Sequence, residues 1–273
     1  MQWGISKKAS LTFLTFFVTM KKMKGRIIMY FTKEAIANDY DCDLTNRLKI
    51  SAAMRYMQQT SAEHLRYLGL PYEKLYAENM VFLLSKGCVK VYDMPVSGQK
   101  IIIGTAPVKT RGARFIREFV IDDLNGNRLV SSLTMWLLVD PFTRKILRPA
   151  SFPYDIRFQE SALAEDIADI PFPKLIPEKG CSISDLAIRY SHIDHNNHVN
   201  NSVYADFVCD TLPLEKLIET GLDTMIISYR NEAKWGDALS IRTSEISPTE
   251  YYITGQKDGD ACFEALAIFH TKR

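Results

Sequence analysis

The chain repeats itself, and that repetition limits its possible fold more than any other feature. From Tyr30 onward a strand, a long helix and several strands follow in order, and the same series then returns. Asp43-Leu44-Thr45-Asn46-Arg47-Leu48 opens the first helix as Asp194-His195-Asn196-Asn197-His198-Val199 opens the second. Gly98 and Gly236 introduce corresponding strands. Glu118-Phe119-Val120-Ile121 matches Glu250-Tyr251-Tyr252-Ile253, and Leu133-Thr134-Met135-Trp136 matches Leu266-Ala267-Ile268-Phe269. Two copies of one scaffold are therefore expected. They differ in chemistry, because Thr45 and Arg47 stand where the second copy carries Asn196 and His198.

The periodicity predicts a core helix over residues 51–68, stopped by Gly69. Strands are expected over residues 80–91, 99–110, 113–122 and 128–139, the last two joined by a turn containing Asn125-Gly126. In the second copy a strand over 182–190 leads to a helix from about residue 202 to 220. Strands over 224–234, 238–246, 250–257 and 261–270 follow. The stretch 151–180 is proline-bearing and acidic in its middle (Glu160, Glu165, Asp166, Asp169), which reads as a linker with one short helix. The organisation expected is α+β: an N-terminal extension over 1–28, a first unit over 29–150, the linker, and a second unit over 181–273.

Composition removes several function classes. A formal charge of +2 with mixed signs gives no footprint for nucleic acid. Five scattered cysteines without CxxC spacing read as thiols of a reducing cytoplasm. The apolar run over residues 11–20, preceded by Lys7 and Lys8, superficially resembles a signal peptide. It is too short for a span, and Lys21, Lys22, Lys24 and Arg26 stand where a cleavage site belongs. The plain reading is an extension outside the domains, with Met23 or Met29 as alternative starts. The sharper reading is a membrane-surface anchor, and membrane binding is not the expectation adopted.

The densest chemistry lies between His192 and Asn201, where one carboxylate, three imidazoles and four side-chain amides fall within ten residues. Such groups are costly to bury without partners. An apolar helical run follows at once, so Asn200 or Asn201 reads as its N-cap. A polar loop delivering acid, amide and imidazole to the positive end of a helix suits stabilisation of a developing oxyanion.

Other residues have plainer readings. His192, His195 and His198 lack a second ligand cluster, so no metal or other cofactor is expected. Cys209 reads as a small buried hydrophobe rather than a nucleophile. Lys109, Arg111, Arg114 and Arg117 form a basic run, either a solvated sheet face or a docking strip for an acidic partner.

The segment Asp194-x-Asn196-x-His198-Val199-Asn200-Asn201-x-x-Tyr204 resembles the signature of acyl-acyl carrier protein (acyl-ACP) thioesterases, in their bacterial type. Ser228-Tyr229-Arg230-Asn231-Glu232-Ala233 is similar to the family's Tyr-Arg-x-Glu-Cys segment, and residues 80–149 resemble its first half, including the Thr143-Arg144-Lys145 turn. The resemblance implies a tandem double hotdog, two antiparallel sheets each wrapped around a long central helix. It implies a catalytic set of Asp194, Asn196, His198 and Glu232. Ala233 departs from the cysteine of many plant members, which leaves water as the implied nucleophile, with Glu232 or His198 as base. The implied partner is acyl carrier protein bearing a phosphopantetheine-linked fatty acyl chain. The implied setting is the cytoplasm, as a monomer of two hotdogs or a homodimer. A hotdog acyl-CoA thioesterase, a non-catalytic acyl-carrier binding protein and a hotdog dehydratase are the competing readings.

Overall fold

The computed structural model describes residues 16–23, 26–156 and 181–271. The first residues of the extension, and residues 157–180 with the short helix expected there, lie outside the described residues.

Among the described residues, eleven strands join into one antiparallel sheet in the order β1-β2-β4-β5-β6-β3-β8-β11-β10-β9-β7. The first half supplies β1 (Phe16–Met23), β2 (Arg26–Ile36), β3 (Val81–Val91), β4 (Lys100–Arg111), β5 (Arg114–Asp123) and β6 (Arg128–Val139). The second supplies β7 (Cys181–Ala187), β8 (Leu222–Tyr229), β9 (Ala238–Ser247), β10 (Glu250–Lys257) and β11 (Asp260–Phe269). From β2 to β7 the order reads as one series and its mirror image. The halves meet where β3 pairs with β8, with Cys88 opposite Ile226. The two sheets expected from the sequence are thus continuous through one seam. Backbone of residues 16–23, inside the predicted extension, pairs with β2 as an edge strand.

The helix α1 (Ile50–Tyr67) buries Ala52, Ala53, Met54 and Met57 against the inner face of the first half-sheet. It ends where Leu70 N–H reaches Leu65 O at 2.9 Å across Gly69, whose φ of 74° is the left-handed conformation such a stop requires. A short α2 (Tyr72–Ala77) follows. In the second half the long helix expected over 202–220 is two pieces, α3 (Val203–Cys209) and α4 (Leu214–Glu219). Pro213 divides them: it lacks the N–H a helix needs and disfavours helical geometry at Leu212. The two halves share one apolar core, in which Met57, Ile103 and Phe119 belong to the same buried cluster as Tyr204, Phe207 and Phe263. Each half is an antiparallel sheet around a helix, so the architecture is the double hotdog.

Candidate active site

Both copies of the repeat fold their polar loop in the same way, atom by atom. Asp194 N–H donates to His198 O at 3.0 Å, and Asp43 N–H donates to Arg47 O at 2.8 Å. Asp194 Oδ1 accepts from Asn196 N–H at 2.8 Å, as Asp43 Oδ1 accepts from Thr45 N–H at 2.8 Å. Asn197 and Asn46 take the left-handed turn position, with φ of 63° and 64°. Asparagine tolerates that conformation better than most residues. The aspartate is therefore first a loop-former, needed by the turn in either copy.

His198 is what the second copy adds. Its Nδ1 lies 3.3 Å from Val199 O and 4.0 Å from Asp194 Oδ1. In the tautomer that carries its proton on Nδ1, that nitrogen donates to Val199 O and Nε2 is left as the acceptor. Asn200 ties the loop to α3. Its Oδ1 accepts from Ser202 N–H at 3.0 Å and Ser202 Oγ at 2.7 Å, and its Nδ2 donates to Asp194 Oδ2 at 3.3 Å. The N-cap of α3 is Ser202 and not Asn200 or Asn201 as expected; Asn200 instead closes a turn onto that cap from two residues before it. This has a cost for the predicted oxyanion site: Ser202 and Val203 N–H are both occupied by Asn200. Helix-start donors at those two positions are already committed, and the side-chain amide of Asn196 becomes the more available donor.

Glu232 reaches the same place from elsewhere. The strand expected over 224–234 stops at Tyr229, so Glu232 lies on a loop and not on a strand. That loop is fastened to β11 by Arg230 N–H to Cys262 O at 2.8 Å and by the Arg230 guanidinium to Glu264 Oε2 at 2.6 Å. It is fastened to the polar loop by Val199 N–H to Ala233 O at 2.8 Å, and the Tyr204 hydroxyl bonds the Ala233 backbone. Ala233 is fully buried, where a larger side chain would have to displace its neighbours. In the first copy Leu48 N–H meets Pro95 O at 2.7 Å, so Met94 holds the place of Glu232. The twin lacks the carboxylate as well as the imidazole.

The first half closes the site. Arg144, on the turn after β6, hydrogen-bonds and ion-pairs with Glu232. Burial alone would raise the Glu232 pKa. The bond and charge of Arg144, then the charges of His198 and Lys234, outweigh it and hold the carboxyl below its ordinary value. The Tyr72 hydroxyl on α2 donates to Asn196 Oδ1 at 3.2 Å, which turns the amide nitrogen of Asn196 away from the tyrosine. Sequence reasoning missed both partners. Arg144 was visible within the Thr143-Arg144-Lys145 turn, but nothing local tied it to a residue in the other half.

Asp194, Asn196, His198 and Glu232 all border one cleft of about 1750 Å³. This exceeds the roughly 300–1,000 Å³ of sites for drug-sized ligands. The cleft runs from the polar loop along α1 and the inner faces of β3, β5 and β6, past Leu65, Phe82, Phe115 and Trp136. One end carries acid, amide and imidazole, and the wall beyond is largely apolar.

The remaining candidates separate. His192 packs edge-on to Phe207 with ring centroids 5.0 Å apart, whereas His195 packs edge-on to Tyr72 at 5.7 Å. Among the described residues no group of three or more His, Cys, Asp or Glu is arranged to hold a metal ion. Burial, reinforced by Asp206 and Asp210, pushes the Cys209 thiol up to about 12, which keeps it protonated and packed against the core. The five cysteines form no disulfide with one another. The basic run is not one face: Arg111 and Arg114 are exposed, but Arg117 is buried. Among the described residues no helix is long and apolar enough to cross a membrane.

A double hotdog whose polar loop faces an apolar cleft defines the class of acyl-thioester folds to which the chain conforms. The acyl-ACP thioesterase N-terminal domain matches residues 29–152, and the C-terminal domain of the same family matches residues 177–269. The chain belongs to the acyl-ACP thioesterase family. It is 25% identical over 225 residues to an acyl-[acyl-carrier-protein] hydrolase of Cuphea viscosissima, covering 76% of this chain and 54% of that protein. It is 24% identical over 218 residues to a palmitoyl-acyl carrier protein thioesterase of Cuphea hookeriana, covering 75% and 52%. Both relatives are chloroplastic, and the chain spans about half their length. The fold superposes on the crystal structure of an acyl-ACP thioesterase from Bacteroides thetaiotaomicron with a TM-score of 0.79 at 22% identity, covering 88% of this chain and 97% of that one. A 12:0-ACP thioesterase from Umbellularia californica gives 0.79 at 19% identity, covering 89% and 98%.

Proposed function

We propose that the protein hydrolyses the thioester of a fatty acyl group carried on the phosphopantetheine arm of acyl carrier protein, releasing free fatty acid. The observation that carries this reading is the meeting of Asp194, Asn196, His198 and Glu232 at one end of a long apolar cleft. In this reading the first unit (29–150) supplies the acyl wall, 151–180 is the linker, and the second unit (181–273) supplies the reacting groups. One chain is the functional unit, because Tyr72 and Arg144 of its first half complete the site of its second.

His198 Nε2 takes a proton from water, whose oxygen attacks the thioester carbonyl carbon. Val199 O holds Nδ1–H, and the Asp194 carboxylate 4.0 Å away stabilises the imidazolium that forms. The Asn196 amide donates to the oxyanion. Collapse breaks the C–S bond, and the imidazolium returns its proton to the departing thiolate. Glu232, kept anionic by Arg144, steadies the positive charge on His198.

Thiol release from matched acyl-ACP and acyl-CoA substrates tests the reading. His198→Ala and Glu232→Ala should each lower kcat by at least about 100-fold while leaving the fold intact. Stoichiometric binding of acyl-ACP without thiol release would overturn it, and faster turnover of acyl-CoA would reassign the carrier.

A further inference from the structure

Hydrolysis uses the polar end of the cleft and leaves a charge in its wall unexplained. Arg117 on β5 is only 7% exposed, yet it borders the cleft. One nitrogen, NH1, lies 3.1 Å from His64 Nδ1 and donates to Thr105 Oγ1 at 3.2 Å. His64 stacks on Phe31 with centroids 5.1 Å apart. Burial, then the charge of Arg117, pushes its pKa down to about 3, so the imidazole is neutral and accepts the bond. Neither partner is an anion. Among the described residues no carboxylate offsets the guanidinium, and burial alone lowers its pKa to about 10.

A buried cation without a counter-ion costs more than two neutral hydrogen bonds return. The placement is nonetheless well built, because NH1 is pinned and the rest of the planar fork is left to the cleft. The sealed, partnerless side-chain polar atoms of the described residues are Ser51 Oγ and Glu63 Oε2. Arg117 Nε and NH2 are not among them, and the hydrogen bonds of the guanidinium are made by NH1, so the side chain that borders the cleft keeps uncommitted donors. Ser61, on α1 and 9% exposed, borders the same space, and Phe115 and Trp136 make the adjoining wall apolar. An oriented guanidinium fork at the side of a greasy channel suits a carboxylate on an aliphatic chain.

We propose that Arg117 anchors an anion subsite within the cleft that takes an aliphatic carboxylate, either the far-end carboxylate of an acyl chain or that of a free fatty acid. The proposal rests on the acyl-cleft reading above. Two measurements on the full chain distinguish the sources. In the first, kcat/KM is compared for pantetheine thioesters of dodecanoate and of an equally long chain ending in a carboxylate. Arg117→Met should lower the carboxylate-to-methyl ratio by about 10- to 100-fold, the worth of one charged hydrogen-bond pair. In the second, dodecanoate should raise Tm more than dodecanol does, and Arg117→Met should abolish the difference. An effect in the first measurement assigns the far-end carboxylate, and one in the second alone assigns the free acid. Should the methionine variant fail to fold, Arg117→Lys, which keeps the charge and loses the fork, should weaken either effect. Ratios and Tm differences unaltered by these substitutions overturn the proposal. If no protein cleaves either thioester, the hydrolase reading fails, and the Tm comparison still decides the subsite.

Discussion

Arg144 of the first half is bound to Glu232 of the second, so the carboxylate of one half is set by a cation of the other. Removing the cation takes away the strongest influences that lower the Glu232 pKa, so the pKa rises. In Arg144→Met the acid limb of the kcat/KM profile should move to higher pH, because Glu232 must be ionised to support His198. Arg144→Lys should restore part of the shift. A profile identical to wild type across pH 4 to 8 would show that Glu232 ionisation does not limit the rate.

Tyr72 orients Asn196 through one neutral hydrogen bond. A bond of this kind is worth about 0.5–1.5 kcal/mol. Tyr72→Phe should therefore lower kcat by about 2- to 10-fold with little change in KM, since in the proposed mechanism the amide acts on the oxyanion and not on the resting substrate. A rise in KM alone would instead make Tyr72 a substrate-binding residue.

His64 is held neutral, with its folded pKa pushed from 6.5 to about 3 by burial and by Arg117. The unfolded chain therefore takes up a proton that the folded chain refuses. The stability this gives is complete above pH 6.5 and is lost as pH falls from there toward 3. At pH 5 the loss is about 2 kcal/mol relative to pH 7. Urea unfolding of the wild type and His64→Gln should show that difference shrinking in the variant. Equal pH dependence in both would refute the buried neutral imidazole.

Gly255 lies against Phe263 so closely that an added Cβ would fall 2.1 Å from the ring. Phe263 is fully buried and packs on Tyr204 at 5.1 Å, which in turn holds the Ala233 backbone beside Glu232. Gly255→Ala should cost roughly 1–3 kcal/mol through overpacking. It should also lower kcat by displacing the 230–236 loop. An unchanged urea midpoint would mean that the ring moves aside freely.

The repeat and most strands were legible because they depend on local patterns: alternation, turn residues, and a glycine at a helix stop. Apolar spacing predicts one long second helix because it runs through Pro213 without regard to the missing N–H, and the structure has two short ones. Glu232 was found by resemblance, but its setting on a loop depends on Arg230 reaching Glu264 on β11, a contact between distant residues. The same is true of Arg144 and Tyr72. The basic neighbours of Arg117 read as a solvated face or as a docking strip for an acidic partner, whereas the strand's pleat turns Arg117 inward onto His64.

The sheet reads the same outward from the β3–β8 seam to β2 and β7 on either side. A single unit pairing with its own duplicate must carry every substitution at both sites, so no change can be confined to one. Covalent linkage of the units lifts that restriction. Met94, Thr45 and Arg47 could depart from the reactive pattern while Glu232, Asn196 and His198 kept it, and Tyr72 and Arg144 could take up service at a site built by the other half. The chain inherits a symmetric architecture but is genetically free to use it asymmetrically.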